Sequence, residues 1–235
     1  MNLTPQILYK ILHEKFGKQN WWPIDLEYHN MHRSDPRFEI IIGTILTQNT
    51  AWINVEKALT NLKSNNMLEI KKIKDIDIKS LQNLVKTSGF FNQKAKRLKN
   101  IATFLHNNYQ DNLNKFFNRD LYEVRKELLS LNGIGPETAD SILLYAGNLP
   151  VFVVDAYTKR ICKRIPLDTE VSYEEIQKYF EKGLSKNYSE KEIIKIYNEL
   201  HALIVKFAKD ICKNKPECRK CPLQRYCKFE NQLLQ

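Results

Sequence analysis

Two closely spaced glycines in the middle of the chain are the first residues whose pattern points to chemistry. In the segment Leu-Asn-Gly-Ile-Gly, Gly133 and Gly135 are separated by one apolar residue and follow an amphipathic stretch, 121–129. Glycine adopts backbone angles that other residues avoid, so the chain can reverse tightly there with its amides exposed. Pro136 suits the first position of a new helix. We therefore predict a helix–turn–helix hairpin whose N–H groups can hold a phosphate oxygen.

A single carboxylate follows the hairpin. Asp155 comes directly after the apolar run 152–154, and four cations follow it: Lys159, Arg160, Lys163 and Arg164. The residues themselves leave two interpretations open. Asp155 is either the N-cap of the next helix, next to a packing corner, or a carboxylate that takes part in a reaction.

A group of four cysteines lies near the C-terminus, spaced C-x5-C-x2-C-x5-C and interleaved with lysines and arginines: Cys212, Cys218, Cys221 and Cys227. Two disulfides are disfavoured in an intracellular chain, so metal binding is the better interpretation. Zinc and a [4Fe-4S] cluster both accept four thiolates. Zinc sites usually pair two C-x2-C units, and this chain has only one. The fifth cysteine, Cys162, stands in an apolar context and is predicted to be a buried core residue.

The composition of the 235 residues predicts a globular chain with a polyanionic partner. Hydrophobic residues make up 43% and charged residues 27%, and the net charge is +10. Basic ribosomal-type or membrane-surface proteins share such a charge. No apolar run approaches the ~20 residues that span a bilayer, and the N-terminus lacks the apolar core of a signal peptide. We expect a cytoplasmic monomer with no membrane partner.

Apolar residues recur at helical spacing along most of the chain, and no extended stretch alternates apolar and polar residues. This pattern predicts an all-α protein. The predicted helices are 5–16, 38–46, 55–62, 70–85, 98–109, 116–129, 173–184 and 190–209.

Between these helices lie polar and aromatic groups suited to a nucleic-acid surface or to a base pocket: Trp21, Trp22, Gln48, Asn49, Trp52, Phe90, Phe91, Lys94 and Lys96. Each has an ordinary structural interpretation as well. One of the adjacent tryptophans can be core and the other its lid, the amides can cap helices, and both phenylalanines can be core.

The hairpin, the Val-Val-Asp segment and the cysteine spacing together resemble the helix-hairpin-helix DNA glycosylases of the endonuclease III superfamily. The cysteine loop differs from that family's by one residue in its first interval. The resemblance implies a hairpin that grips double-stranded DNA, a [4Fe-4S] cluster, and Asp155 beside a flipped nucleotide. It also implies that Gln48 fills the gap left by the extruded base and that Phe90, followed by Phe91, enters the duplex as a wedge.

Two positions depart from other members of that superfamily. Glu137 stands where bifunctional members carry the lysine that attacks the sugar, so strand-cleaving lyase chemistry is predicted to be absent. Gly43 is the nearest match to the catalytic glutamate of the adenine glycosylases, so no general acid is apparent. These features, with Trp-Trp-Pro, Leu-Thr-Gln-Asn-Thr and Ser-Gly-Phe-Phe-Asn-Gln-Lys-Ala-Lys-Arg-Leu, resemble the bacterial 3-methyladenine glycosylases over roughly residues 20 to 165.

The resemblance predicts two domains: residues 32–149 as a six-helix barrel with the hairpin, and 1–31 plus 150–235 as a helical domain with the cluster loop at 212–227. The resemblance places the active site in the cleft between the two predicted domains. The predicted reaction is hydrolysis of the N-glycosidic bond of a damaged base, with alkylated purines favoured. The alternatives are a uracil/thymine mismatch glycosylase, a non-catalytic iron–sulfur DNA-binding protein and an iron–sulfur electron carrier.

Overall fold

The computed structural model describes residues 3–165, 172–186 and 188–229; the remaining residues of the predicted second domain lie outside the described residues. The described part of the chain contains helices and no strand, which confirms the all-α prediction. Its α-helices are α1 Pro5–Phe16, α2 Leu26–His32, α3 Pro36–Leu46, α4 Trp52–Ser64, α5 Ile70–Asp75, α6 Ile78–Leu84, α7 Phe91–Tyr109, α8 Leu113–Phe117, α9 Leu121–Ser130, α10 Pro136–Ser141, α11 Ala156–Arg164, α12 Tyr173–Ser185 and α13 Glu190–Asp210.

Two predicted helices are broken by aspartates that cap new ones. The predicted helix 70–85 is α5 and α6, because the Asp77 side chain accepts a hydrogen bond from the backbone N–H of Ser80. The predicted helix 116–129 is likewise divided between α8 and α9, where Asp120 caps the second. A capping side chain satisfies N–H groups that have no partner within the helix, so it favours a new start over continuation.

The chain divides into two compact units, 22–149 and 1–21 with 150–235. Residues 22–31, which were predicted to belong to the second domain, pack within the unit 22–149 through polar contacts. The His29 Nε2 atom lies 2.7 Å from Glu39 Oε2, and Lys63 donates to Asp25 at 3.0 Å. The helical segment α2 was not predicted at all, because its residues are mostly polar.

The unit 22–149 is built around α3, whose residues 38–46 are all buried. Helix α7 packs against α3, α5, α6 and α8. The hairpin helices α9 and α10 pack together, and α10 runs into a single π-helical turn, Ile142–Ala146, that packs against α3. Single π turns are frequent at functional sites.

The unit 1–21 with 150–235 is built on α13, which packs against α1, α11 and α12. Phe152, from the apolar run before Asp155, stacks on Phe180 of α12 at a centroid distance of 4.4 Å. This packing anchors the chain directly before α11. None of the described helices combines the length and apolar character that a bilayer span requires.

Candidate functional site

The predicted hairpin is present, and its two glycines have different roles. Gly133 has a φ of +85°, which strains any residue with a side chain, and a Cβ there would also have to displace the Arg97 side chain. Gly135, the N-cap of α10, has an ordinary φ of −95° and is exposed, with no atom within 4 Å of the place a Cβ would take. A ligand can therefore approach the backbone closely at Gly135.

An ion pair fixes the two hairpin helices to each other. Arg125 of α9 donates from Nε and Nη2 to the two carboxylate oxygens of Asp140 in α10, at 2.6 and 3.1 Å. The Asp140 side chain is fully buried. Such two-pronged pairs impose geometry as well as attraction, so the turn is held rigidly between its helices.

Gln48 is docked on this turn. Its Nε2 donates to the Gly133 carbonyl at 3.0 Å and to the Thr138 hydroxyl at 2.9 Å, and its Oε1 accepts from Arg97. The structure thus brings Gln48 and the hairpin together, with Arg97 of α7 beside Gly133. Nothing in the sequence distinguishes Arg97 from the neighbouring cations, so no role was predicted for it. Asn49 is exposed, with a φ of +53°.

Phe90 stands out from the surface at the start of α7. Its side chain is 63% exposed, and its φ of +46° is rare for a bulky residue. The interpretation that both phenylalanines are core therefore fails for Phe90, whereas Phe91 is half-buried. Lys96 is exposed and positioned to meet solvent or a ligand.

Lys94 was predicted to contact DNA, and this prediction is wrong. Its side chain is 1% exposed, and its Nζ donates to the backbone carbonyls of Leu46, at 2.8 Å, and Ser88, at 2.6 Å. Lys94 therefore ties the end of α3, just before Gln48, to the segment just before Phe90. Burial, and secondarily the nearby Arg97 charge, lower the pKa of Lys94 to about 8.

The stability of the protein should depend on this lysine in a defined pH range. From about pH 8 to the ordinary lysine value of 10.5, the unfolded chain keeps a proton that the folded protein has released. Stability rises with pH where the unfolded state binds more protons. The wild type should thus gain stability relative to Lys94→Met across this range, on the order of 2–3 kcal/mol.

Urea unfolding of both proteins at pH 7.5 and pH 10.5 measures the difference. Lys96→Met, two residues away and exposed, is the matched control and should follow the wild type. A wild-type stability curve parallel to that of Lys94→Met would contradict the buried placement.

Aromatic side chains meet over a glycine of α3. Trp22 and Trp52 contact edge to face at a centroid distance of 5.3 Å, and Trp22 lies 5.5 Å from Tyr145. A Cβ on Gly43 would lie 2.7 Å from Trp22 Cζ2, so the indole occupies the space that a side chain would need. We call Trp22, Trp52 and Tyr145 the aromatic cluster. Trp21 belongs to the other unit.

Tyr145 was not anticipated as part of this group. It lies in the π-helical turn and is 5% exposed, so its sequence context, an apolar run, gives no signal beyond core packing. The glycine at position 43 has a physical reason, because the Trp22 indole fits against α3 there only when the residue has no side chain. A glutamate could not stand there beside this indole.

Asp155 caps α11 and also meets a histidine. Its Oδ1 accepts from the Thr158 N–H at 2.6 Å and from the Thr158 hydroxyl at 2.8 Å. Its Oδ2 lies 3.7 Å from His201 Nε2, on α13. Asp155 is therefore the N-cap of α11. A role in a reaction is compatible with capping, because the bonds to Thr158 use Oδ1 and not Oδ2. Burial lowers the pKa of His201, although the Asp155 charge opposes the shift.

Glu137 lies in the first turn of α10 and is exposed. It follows Gly135 and Pro136 directly, at the open end of the hairpin. A carboxylate at this end adds negative charge where the backbone dipoles favour an anion. Its chemistry excludes a Schiff base at this position.

The four C-terminal cysteines influence one another electrostatically. Burial, followed by the charges of Cys212, Cys227 and Cys218, raises the pKa of Cys221 to about 11. Within the described residues, no group of three or more histidine, cysteine or acidic side chains is arranged to hold a single metal ion. The prediction that Cys162 is buried is confirmed.

An arginine joins α11 to the cysteine segment. Arg164, the last residue of α11, donates from Nη1 to the Cys212 carbonyl and Sγ, each at 3.2 Å, and to the Lys213 carbonyl at 2.6 Å. The same helix begins at Asp155.

Residues 42–186 match the family of HhH-GPD superfamily base excision DNA repair proteins. The chain is 45% identical over 223 residues to a Methanocaldococcus jannaschii protein provisionally named a DNA repair glycosylase, covering 94% of each. It is 30% identical over 240 residues to endonuclease III of Rickettsia felis, covering 97% of each. A crystal structure of H. pylori 3-methyladenine DNA glycosylase bound to 1,N6-ethenoadenine matches with a TM-score of 0.70 and 31% identity, over 88% of this chain and 98% of that one.

The helical fold, the glycine hairpin and these similarities define one class, and the chain belongs to the HhH-GPD superfamily. It is a DNA glycosylase of base excision repair. The resemblance seen in the sequence is thereby confirmed.

Proposed function

We propose that this protein is a monofunctional DNA glycosylase that removes alkylated purines such as 3-methyladenine after flipping them out of duplex DNA. The observation that carries the proposal is the aromatic cluster over Gly43. An electron-rich ring face attracts a cation, by up to about 2 kcal/mol when both are desolvated. A purine alkylated on a ring nitrogen is cationic, so aromatic faces distinguish it from the neutral parent base. The H. pylori glycosylase at 31% identity supports the assignment.

The way in which the base leaves the sugar also agrees with this substrate. A cationic purine leaves the sugar as a neutral molecule, with the electron pair of the broken C–N bond, and needs no proton from the enzyme. A neutral purine needs a general acid, and the position of that acid is occupied here by Gly43 with the Trp22 indole against it. Uracil or thymine, which leave as stabilised anions, are the second candidate.

Asp155 would stabilise the positive sugar that forms as the base departs. Its Oδ1 is held by Thr158, and this leaves Oδ2 to face the developing charge and to accept a proton from the attacking water. A preorganised carboxylate gains its effect because it needs no reorientation during the reaction.

Binding to DNA would use groups around the hairpin. Gly133 and Gly135 would present the backbone to a phosphate, with Lys96 adding positive charge.

Gln48, with Asn49 beside it, would fill the gap left by the base, and Phe90, supported by Phe91, would enter the duplex. Gln48 must then exchange its hydrogen bonds to the hairpin for bonds to DNA. A monomer suffices for all these contacts.

A panel of duplexes with single lesions tests the proposed function. The protein should release 3-methyladenine and 7-methylguanine, leaving intact abasic sites that break only on alkali treatment. Because Glu137 replaces the lysine, borohydride should trap no protein–DNA complex. Removal of uracil or thymine alone would transfer the assignment to the second candidate. Trapping of the wild-type protein would contradict the monofunctional assignment, and release of no base would leave a DNA-binding role.

The four cysteines Cys212, Cys218, Cys221 and Cys227 would hold a [4Fe-4S] cluster. Four thiolates suit such a cubane. The cluster would act as a scaffold for the cationic segment around it. Arg164 would hold that segment to α11 through its bonds to residues 212–214.

Iron content is the corresponding prediction. Protein purified without oxygen should be brown, with about four irons per chain. Cys221→Ala should lose the iron and the colour, whereas Cys162→Ala, a control at the cysteine outside the loop, should keep both. A colourless wild type with one stoichiometric zinc would contradict the cluster.

A further inference from the structure

The side-chain amide of Gln48 is fully engaged by the protein itself. Its Nε2 donates to the Gly133 carbonyl at 3.0 Å and to the Thr138 hydroxyl at 2.9 Å, which accounts for both of its N–H groups. Its Oε1 accepts from the Arg97 guanidinium. An amide bound in this way cannot also bond to a DNA base. The docked position of Gln48 and a position inside the duplex therefore exclude each other.

Two helices supply the side chains that hold Gln48 in the docked position. Thr138 lies in α10 and is 7% exposed, and Arg97 lies in α7, where its side chain runs against the backbone of Gly133. The bond from the charged guanidinium is stronger than one between neutral groups. Arg97 and Thr138 therefore both stabilise the docked position, and Arg97 has the larger share.

The backbone around Gln48 is held by other bonds. Lys94 Nζ donates to the Leu46 carbonyl at 2.8 Å, and the Thr50 N–H donates to the Thr47 carbonyl at 3.2 Å. Neither bond involves the Gln48 side chain. Gln48 can therefore leave the hairpin by rotation of its side chain, without a rearrangement of the loop that carries it.

We propose that Gln48 has two positions, docked on the hairpin or inserted into DNA, and that Arg97 and Thr138 set the balance between them. The inference rests on the proposed gap-filling role of Gln48. Because the bonds to the hairpin must break first, the side chain enters only where the duplex offers bonds that replace them. The bases of an intact pair are already bonded to each other, so Gln48 stays docked there. An unpaired base opposite a gap offers new partners, and Gln48 inserts.

A ratio of two affinities tests the inference: the affinity for a duplex with one tetrahydrofuran abasic-site analogue, divided by the affinity for the same duplex intact. Thr138→Val removes one acceptor of Gln48 with little change in volume and none in charge. It should raise the ratio about 3- to 10-fold, the scale of one neutral hydrogen bond. Arg97→Met should raise the ratio further, because the bond that it removes is charged.

Lys96→Met is the control for lost charge, and it should weaken binding to both duplexes equally and leave the ratio unchanged. In a Gln48→Ala background, Thr138→Val and Arg97→Met should no longer change the ratio. A rise that persists in that background would overturn the inference, and so would an unchanged or lowered ratio in the otherwise wild-type chain. The ratio requires no base release, so a protein without excision activity can still show the expected ratio. Failure of the proposed function and failure of this inference are thus distinguishable.

A measurement on the wild-type protein covers the case in which Thr138→Val or Arg97→Met does not fold. Nitrogen-15 NMR reports the side-chain amide of Gln48, assigned by the signal that is missing in Gln48→Ala. The signal should be the same in the free protein and with the intact duplex, and should shift with the abasic-site duplex. A signal that is identical in all three samples, or that shifts equally with both duplexes, would overturn the inference.

Discussion

Replacement of Asp155 by asparagine should leave DNA binding intact and lower base excision by a factor on the order of 10² or more. Asparagine lacks the negative charge that would stabilise the sugar cation. It still accepts hydrogen bonds from Thr158, and asparagine is as good an N-cap as aspartate. The substitution therefore separates catalysis from capping. Single-turnover excision and DNA titration on the same lesion duplex measure the two effects.

Asp77→Asn is the matched control. Asp77 also caps a helix, α6, by accepting from a backbone N–H three residues ahead, and the substitution changes the charge equally. It should leave excision unchanged. Near-normal excision by Asp155→Asn would leave Asp155 with its capping role alone, for which loss of the cap costs about 0.5–2 kcal/mol of stability.

Replacement of Trp52 by alanine should reduce excision of 3-methyladenine far more than binding to undamaged DNA. Loss of a desolvated cation–π contact of ~2 kcal/mol corresponds to about a 30-fold change in rate. Trp52→Phe keeps an aromatic face that attracts a cation more weakly. Its excision rate should therefore lie between those of the wild type and Trp52→Ala. Comparison of the loss of excision with the loss of affinity for undamaged DNA shows whether Trp52 acts on the damaged base. An equal loss in both measurements would contradict cation recognition by the aromatic cluster.

The aromatic cluster can also be disturbed from the side of Gly43. Gly43→Ala would place a methyl group 2.7 Å from the Trp22 ring and should displace the indole, with a similar selective loss. Alanine is otherwise favoured over glycine within a helix, so the loss would not come from α3 itself. Gly183→Ala in α12 is the matched control, since its Cβ would meet Pro5 at 2.6 Å in the other unit.

The sequence alone determined the features that depend on neighbouring residues. Helical spacing predicted the all-α class, and Gly-Ile-Gly-Pro predicted the hairpin, because turn geometry and helix capping are local. The capping role of Asp155 was readable for the same reason. Asp77 and Asp120 are local capping signals too, so the division of the two predicted helices could have been predicted from the sequence.

Tertiary structure alone decided which side chains face one another. Lys94 and Lys96 look equivalent in the sequence, yet two residues along a helix turn the side chain by about 200°, so one is buried and the other exposed. His201 meets Asp155 only because α13 packs against α11. Trp22 rests on Gly43 only because the chain before α2 returns to α3. Contacts between residues far apart in the chain follow from packing, and no local pattern of residues encodes them.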